Sequence, residues 1–94
     1  MKPICKEALT EELITKLKNE GYDEIPKIIV RCNKKSVTCI MEGYETFAYK
    51  IKWIMDDANC MWFSISNCFE SCILDLRTWE EAIRNVGYLM ATRY

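Results

Sequence analysis

The chain contains no histidine. That removes the commonest general base near neutral pH and the commonest nitrogen ligand for metals. Glycine is scarce, with three residues in 94, and none is spaced as a phosphate-cradling loop. No apolar run approaches the roughly 18–20 residues that a membrane-crossing helix needs. The opening residues, Met1-Lys2-Pro3-Ile4-Cys5-Lys6-Glu7, hold no apolar segment of a secretory signal. These absences argue against a metalloenzyme, a nucleotide-binding loop, a membrane span and export. The expected location is the cytoplasm.

Catalysis finds little else to stand on. Glu11-Glu12, Asp56-Asp57 and Glu80-Glu81 are adjacent carboxylates, placed where acids offset a helix dipole or fill a turn. No cysteine has an obvious activating neighbour. The chain is expected not to be an enzyme and to need no cofactor or metal. Its six cysteines, Cys5, Cys32, Cys39, Cys60, Cys68 and Cys72, include no Cys-x-x-Cys pair. With no export signal they read as free thiols acting as small buried hydrophobes. Cys32 with Cys39, and Cys68 with Cys72, are the two pairs that could bridge under oxidation.

What is present is half hydrophobic and 29% charged, the composition of one folded domain spanning 1–94. The organising stretch is Thr46 to Ile65. Phe47, Tyr49, Ile51, Trp53 and Met55 alternate with Lys50, Lys52 and Ile54, and Met61, Phe63 and Ile65 alternate with Trp62 and Ser64. Period-two alternation makes both segments strands. An odd loop, Asp57-Ala58-Asn59, lets both apolar sets share one face. The implied register sets Met55 against Met61, Trp53 against Phe63, and Ile51 against Ile65.

Upstream, Ile28, Val30 and Cys32 pair with Val37, Cys39 and Met41 across the even loop Asn33-Lys34-Lys35-Ser36. A tight odd turn at Met41-Glu42-Gly43 would then set Val37 against Phe47. Downstream, residues 72–76 can add a fifth strand. Leu9 to Asn19 reads as a helix with Thr10 as N-cap, Gly21 as left-handed terminator, and Leu9, Leu13, Ile14 and Leu17 as its apolar stripe. Lys16 and Lys18 fall on its solvated side. Thr78-Trp79-Glu80-Glu81 is a capping box, opening a second helix with Trp79, Ala82, Ile83, Val86, Leu89 and Met90 inward. Glu80 and Arg84 are spaced as an i,i+4 pair, and Gly87 marks a close crossing or a fray point. The fold class is α+β: α-β-β-β-β(-β)-α, an antiparallel meander with two helices on one face.

That arrangement leaves a second sheet face bearing Ile29, Arg31, Thr38, Ile40, Ala48, Lys50, Lys52, Ile54, Trp62, Ser64 and Ile73. Residues 27–55 carry six basic and two acidic groups, residues 56–76 none and four. Trp and Arg are enriched at interface centres, and an apolar patch on a solvated face marks a partner site. The candidate partner-binding residues are Trp62, Arg31, Lys50, Lys52, Ile54 and Ile40, with Asp56 and Asp57 at a hairpin tip able to mimic phosphate.

The α–meander–α order resembles that of several anti-CRISPR proteins, small phage-encoded inhibitors of bacterial defence nucleases. The resemblance covers topology and size, with no motif, and implies a module that inhibits a nucleic-acid-handling protein by occupancy. The order is also similar to the double-stranded-RNA-binding domain. That family opens its last helix with a basic motif, where Thr78-Trp79-Glu80-Glu81-Ala82 stands here. Nucleic-acid binding is the alternative reading, and a homodimer through the open face is another.

Overall fold

Alternating apolar residues build the strands of this protein, and apolar residues at helical spacing build the layer above them. The computed structural model describes residues 4–43, 48–55 and 61–93. Its elements are α1 (Lys6–Asn19), β1 (Ile28–Cys32), β2 (Ser36–Met41), β3 (Tyr49–Met55), β4 (Met61–Ser66), β5 (Ser71–Leu74) and α2 (Trp79–Arg93). The strands form one antiparallel sheet in the order β1-β2-β3-β4-β5. The fifth strand is part of it, but spans Ser71–Leu74 rather than 72–76.

Two hairpins keep the expected register. Cys32 faces Val37 and Ile28 faces Met41 in the first. In β3–β4, Met55 faces Met61, Trp53 faces Phe63 and Ile51 faces Ile65. The β2–β3 pair departs from expectation: Val37 faces Ile51, and Cys39 faces Tyr49. Phe47 itself lies outside the described residues. The shift is four residues. An even shift keeps every side chain on its own face, so pattern alone cannot detect it. A backbone bond from Trp53 N–H to the Lys35 carbonyl, 2.9 Å, extends this ladder to the β1–β2 turn.

The face toward the helices buries Val30, Val37, Cys39, Met41, Tyr49, Ile51, Phe63 and Ile65. Each fully buried large aliphatic or aromatic side chain contributes about 1.5–3 kcal/mol relative to exposure. Phe63 meets Trp79 of α2 edge-on, with ring centroids 4.9 Å apart.

Helix α1 begins a turn earlier than expected. Cys5 occupies the N-cap without a side-chain capping bond. Thr10 lies inside the helix, its hydroxyl donating to the Lys6 carbonyl at 2.8 Å. The C-terminus behaves as read. Gly21, at φ 109°, lets its N–H reach the Lys18 carbonyl and Tyr22 N–H reach the Leu17 carbonyl, the double closure of a Schellman motif. In α2, Glu81 N–H donates to Thr78 Oγ1 as a capping box requires. The returning Glu81 carboxylate accepts from Arg77 N–H, one residue before the cap.

Two readings of the helix surfaces are corrected. Arg84 pairs with Glu12 of α1 rather than with Glu80, through two hydrogen bonds of 2.8 and 3.1 Å. Lys16 lies at the helix crossing rather than on an open flank. A Cβ at Gly87 would sit 2.7 Å from Lys16 Cγ and 2.9 Å from its Cβ. Gly87 therefore marks a close crossing. The Lys16 ammonium pairs with Glu20 at 2.8 Å and lies 5.9 Å from the centre of the Tyr88 ring.

Gly87→Ala gains roughly 1 kcal/mol of helix propensity but overpacks the crossing, which costs about 1–3 kcal/mol. Urea denaturation should show net destabilisation of about 1 kcal/mol; a stabilised variant would mean the helices separate freely. The Glu12–Arg84 pair gives a pH signature. Arg84's hydrogen bond holds the Glu12 carboxyl below the usual range, and the same bond raises Arg84. The stabilisation is complete above the ordinary carboxylate pKa and fades as pH falls through the lowered one. Both groups are solvent-exposed, so Arg84→Ala should cost under ~1 kcal/mol at pH 7. In strong acid the cost should vanish.

Candidate binding face of the sheet

Strand register decides what the open face displays. Starting from the β1 edge, Ile29 stands opposite Ile40. The next row runs Arg31, Thr38, Lys50, Ser66 and Ser71. Beside it run Ser36, Lys52, Ser64 and Ile73, and beyond those Ile54 opposite Trp62. The face thus has an apolar end at Ile29/Ile40, a band of cations and hydroxyls, and an apolar end at Ile54/Trp62.

The charge in that band is of one sign. None of the five strands contains an aspartate or glutamate. Arg31, Lys50 and Lys52 are exposed, as are Lys34 and Lys35 in the β1–β2 turn. Lys50 and Lys52 are two residues apart on one strand, about 6–7 Å. Arg31 lies two strands from Lys50, roughly 10 Å away. These spacings are within or near the ~8 Å screening length of physiological salt, so the fields of the three cations overlap.

Of the candidate partner residues, Arg31, Ile40, Lys50, Lys52, Ile54 and Trp62 all come from the open side of the sheet. Asp56 and Asp57 lie outside the described residues. Ile40, Ile54 and Trp62 are half-buried rather than prominent, while Ile73 is 64% exposed. The sequence reading passed over Ser36, Lys34 and Lys35 by treating them only as loop. The register puts Ser36 directly beside Lys52, a contact that needs the true β2–β3 pairing to be seen.

Trp53 belongs to the opposite side, where it packs against the core. Its indole Nε1 is buried without a hydrogen-bond partner among the described residues. An unsatisfied buried donor costs about 1–3 kcal/mol.

Among the described residues, only Cys39 fits the expectation of a buried thiol fully; Cys32 is half-buried, and Cys5, Cys68 and Cys72, at a helix start, a turn and an edge strand, are exposed. Neither suspected pair, Cys32 with Cys39 or Cys68 with Cys72, is bridged by a disulfide. Burial pushes the Cys39 thiol up to about 12 and raises Cys32, chiefly by desolvation. Among the described residues, no group of three cysteine or carboxylate side chains could hold a metal ion. Nor is any helix among them long and apolar enough to cross a membrane.

Compared with known proteins, the chain matches no family profile, no curated protein and no solved structure. Its open face must therefore be read from its own residues.

In native protein, the exposed thiols of Cys5, Cys68 and Cys72 should react quickly with Ellman's reagent, and Cys39 only on unfolding. Cys39→Ala should leave the fast phase unchanged. A smaller fast phase in that variant would show that the helices do not seal the sheet.

Proposed function

We propose that this protein is a non-catalytic binding module that docks its open sheet face onto an acidic, partly apolar surface of a protein partner and acts by occupying it. The observation that carries this reading is the set of acid-free strands, whose open side holds Arg31, Lys50 and Lys52 between the apolar ends Ile29/Ile40 and Ile54/Trp62. Clustered cations of one sign raise the encounter rate with an acidic surface and fix its orientation. Half-buried apolar groups beside them supply the desolvated contacts that dominate affinity. Trp62 is the anchor in this reading, and the cations orient.

The same charge argues against the open face docking on itself. A two-fold interface sets one patch against its own copy, bringing Arg31, Lys50 and Lys52 against the cations of the second molecule. The acid-free strands also support the nucleic-acid alternative. Against it stand the acidic opening of α2, at Glu80 and Glu81, and the single aromatic, Trp62, that the open face offers for stacking among the described residues. Inhibition of a nuclease through Asp56 and Asp57, which lie outside the described residues, is a separate reading, directed at a basic groove by the hairpin tip rather than by the open face.

The test is affinity capture with wild-type protein, Trp62→Ala and the double variant Lys50→Glu/Lys52→Glu, bound proteins being identified by mass spectrometry. One partner recovered by wild type should fall at least ~30-fold with Trp62→Ala, the effect of a 2 kcal/mol hot spot, and be lost on charge reversal. Equal recovery by all three would overturn the reading. Tight, salt-sensitive gel shifts with oligonucleotides, abolished by Lys50→Glu/Lys52→Glu, would transfer the face to nucleic acid.

A further inference from the structure

The two edges of the sheet are unlike. At one edge, β1 has α1 packed against it and carries the charged Arg31. At the other, β5 is Ser-Cys-Ile-Leu: uncharged, without proline, with three of its four residues exposed. Charge, proline, a bulge or a covering element is how an edge is kept from pairing with another strand. β5 has no charge or proline, and α2 packs over β3 and β4 instead.

The backbone of β5 is oriented to accept a further strand. Asn67 N–H donates to the Glu70 carbonyl at 2.9 Å, and Ser66 faces Ser71, Ile65 faces Cys72 and Ser64 faces Ile73. Closely and widely spaced pairs alternate along an antiparallel ladder. Counting from the Asn67–Glu70 bond, Cys72 and Leu74 turn their N–H and C=O groups toward β4, and Ser71 and Ile73 turn theirs to the open edge. On the helix side of this edge, Ile65, Glu70, Ser71, Cys72 and Leu89 line a hollow of about 180 Å³.

We infer that β5 pairs antiparallel with β5 of a second copy, joining two sheets into one of ten strands about a two-fold axis. Facing residues of an antiparallel pair share a face, so the register must set like face against like. The register that uses the outward backbone groups centres on Ile73. Ile73 then exchanges both backbone hydrogen bonds with Ile73 of the second copy, and on the open face their side chains meet. On the helix side, Leu74 of each copy stands beside Cys72 of the other, at the mouth of the hollow. A neutral strand meets no repulsion from its own copy, unlike the cationic open face. This inference is independent of what the open face binds.

The experiment is sedimentation equilibrium of wild type over a concentration series, beside Ile73→Lys. Ile73 is 64% exposed, so lysine there should leave the far-ultraviolet circular dichroism unchanged while weakening dimerisation at least tenfold. A second arm places Ile73→Cys in a Cys68→Ser/Cys72→Ser background and oxidises it with glutathione disulfide. Opposed Cα atoms about 5.5 Å apart in a hydrogen-bonded pair lie within disulfide reach, so a covalent dimer linked through position 73, mapped by peptide mass spectrometry, is expected. Wild type that stays monomeric to its solubility limit overturns the inference. So does a dimer that Ile73→Lys leaves intact, or one that Lys50→Glu dissociates instead.

Discussion

Everything in this molecule depends on one sheet face being apolar across all five strands. Helices α1 and α2 each carry an apolar stripe too narrow to form a core between them alone. Leu9, Leu13 and Leu17 on one, and Ala82, Ile83, Val86 and Met90 on the other, are fully buried because the sheet lies beneath both. A single odd slip in any strand pair would rotate every later strand by half a turn, exposing Phe63 and Ile65 and burying Trp62. At about 25 cal/mol per Å² of apolar surface, losing one such face exceeds the few kcal/mol by which a small domain is stable.

The same constraint sorts the charges. Acids gather where a helix or a connection favours them. Glu7 sits in the first turn of α1, Glu80 and Glu81 in the first turn of α2, where the positive end of the helix dipole receives them. Strands offer acids no such site, and here they have none. A net charge of −1 thus conceals a sheet whose charged strand residues, Arg31, Lys50 and Lys52, are all cations on the side the helices leave open. The basic middle and acidic quarter seen along the chain do not cancel within the strands.

Legibility followed the range of each interaction. The β3–β4 register was readable because the alternation on both arms is strong and the connection is short. In β2–β3 the same parity argument found the face and missed the partner, since Phe47 and Ile51 belong to one alternating series. The preference for a tight turn at Gly43 picked the wrong member. Capping showed a similar limit. Thr78 has Glu81 three residues on and a hydrophobic run behind it, and it caps. Thr10 has the right chemistry, but the helix had already started at Lys6, and no local signal marked Cys5 as its cap. The Glu12–Arg84 and Lys16–Gly87 contacts were invisible for another reason. They depend on how two helices cross, which neither helix's sequence encodes alone. The candidate face inherits this pattern: its membership was legible from parity, and its neighbours, such as Ser36 beside Lys52, were not.

Geometry also explains why the two sides and the two edges of the sheet are treated differently. A helix with its side chains is about 10–12 Å across, and strands are spaced near 4.8 Å. With α2 seated over β3 and β4, its side chains reach roughly 5–6 Å to either side of its axis, while β5 lies about 7 Å to the side of the line beneath that axis. β5 therefore falls at the rim of the helical layer, where Leu74 still packs against the core and Cys72, on the same side, is exposed. A fifth strand completes the pairing of β4, whose Phe63 and Ile65 anchor the core, and it moves the unpaired edge outward by one strand. The burden of an open edge then falls on four residues that bury little, rather than on the strand that the helices depend on.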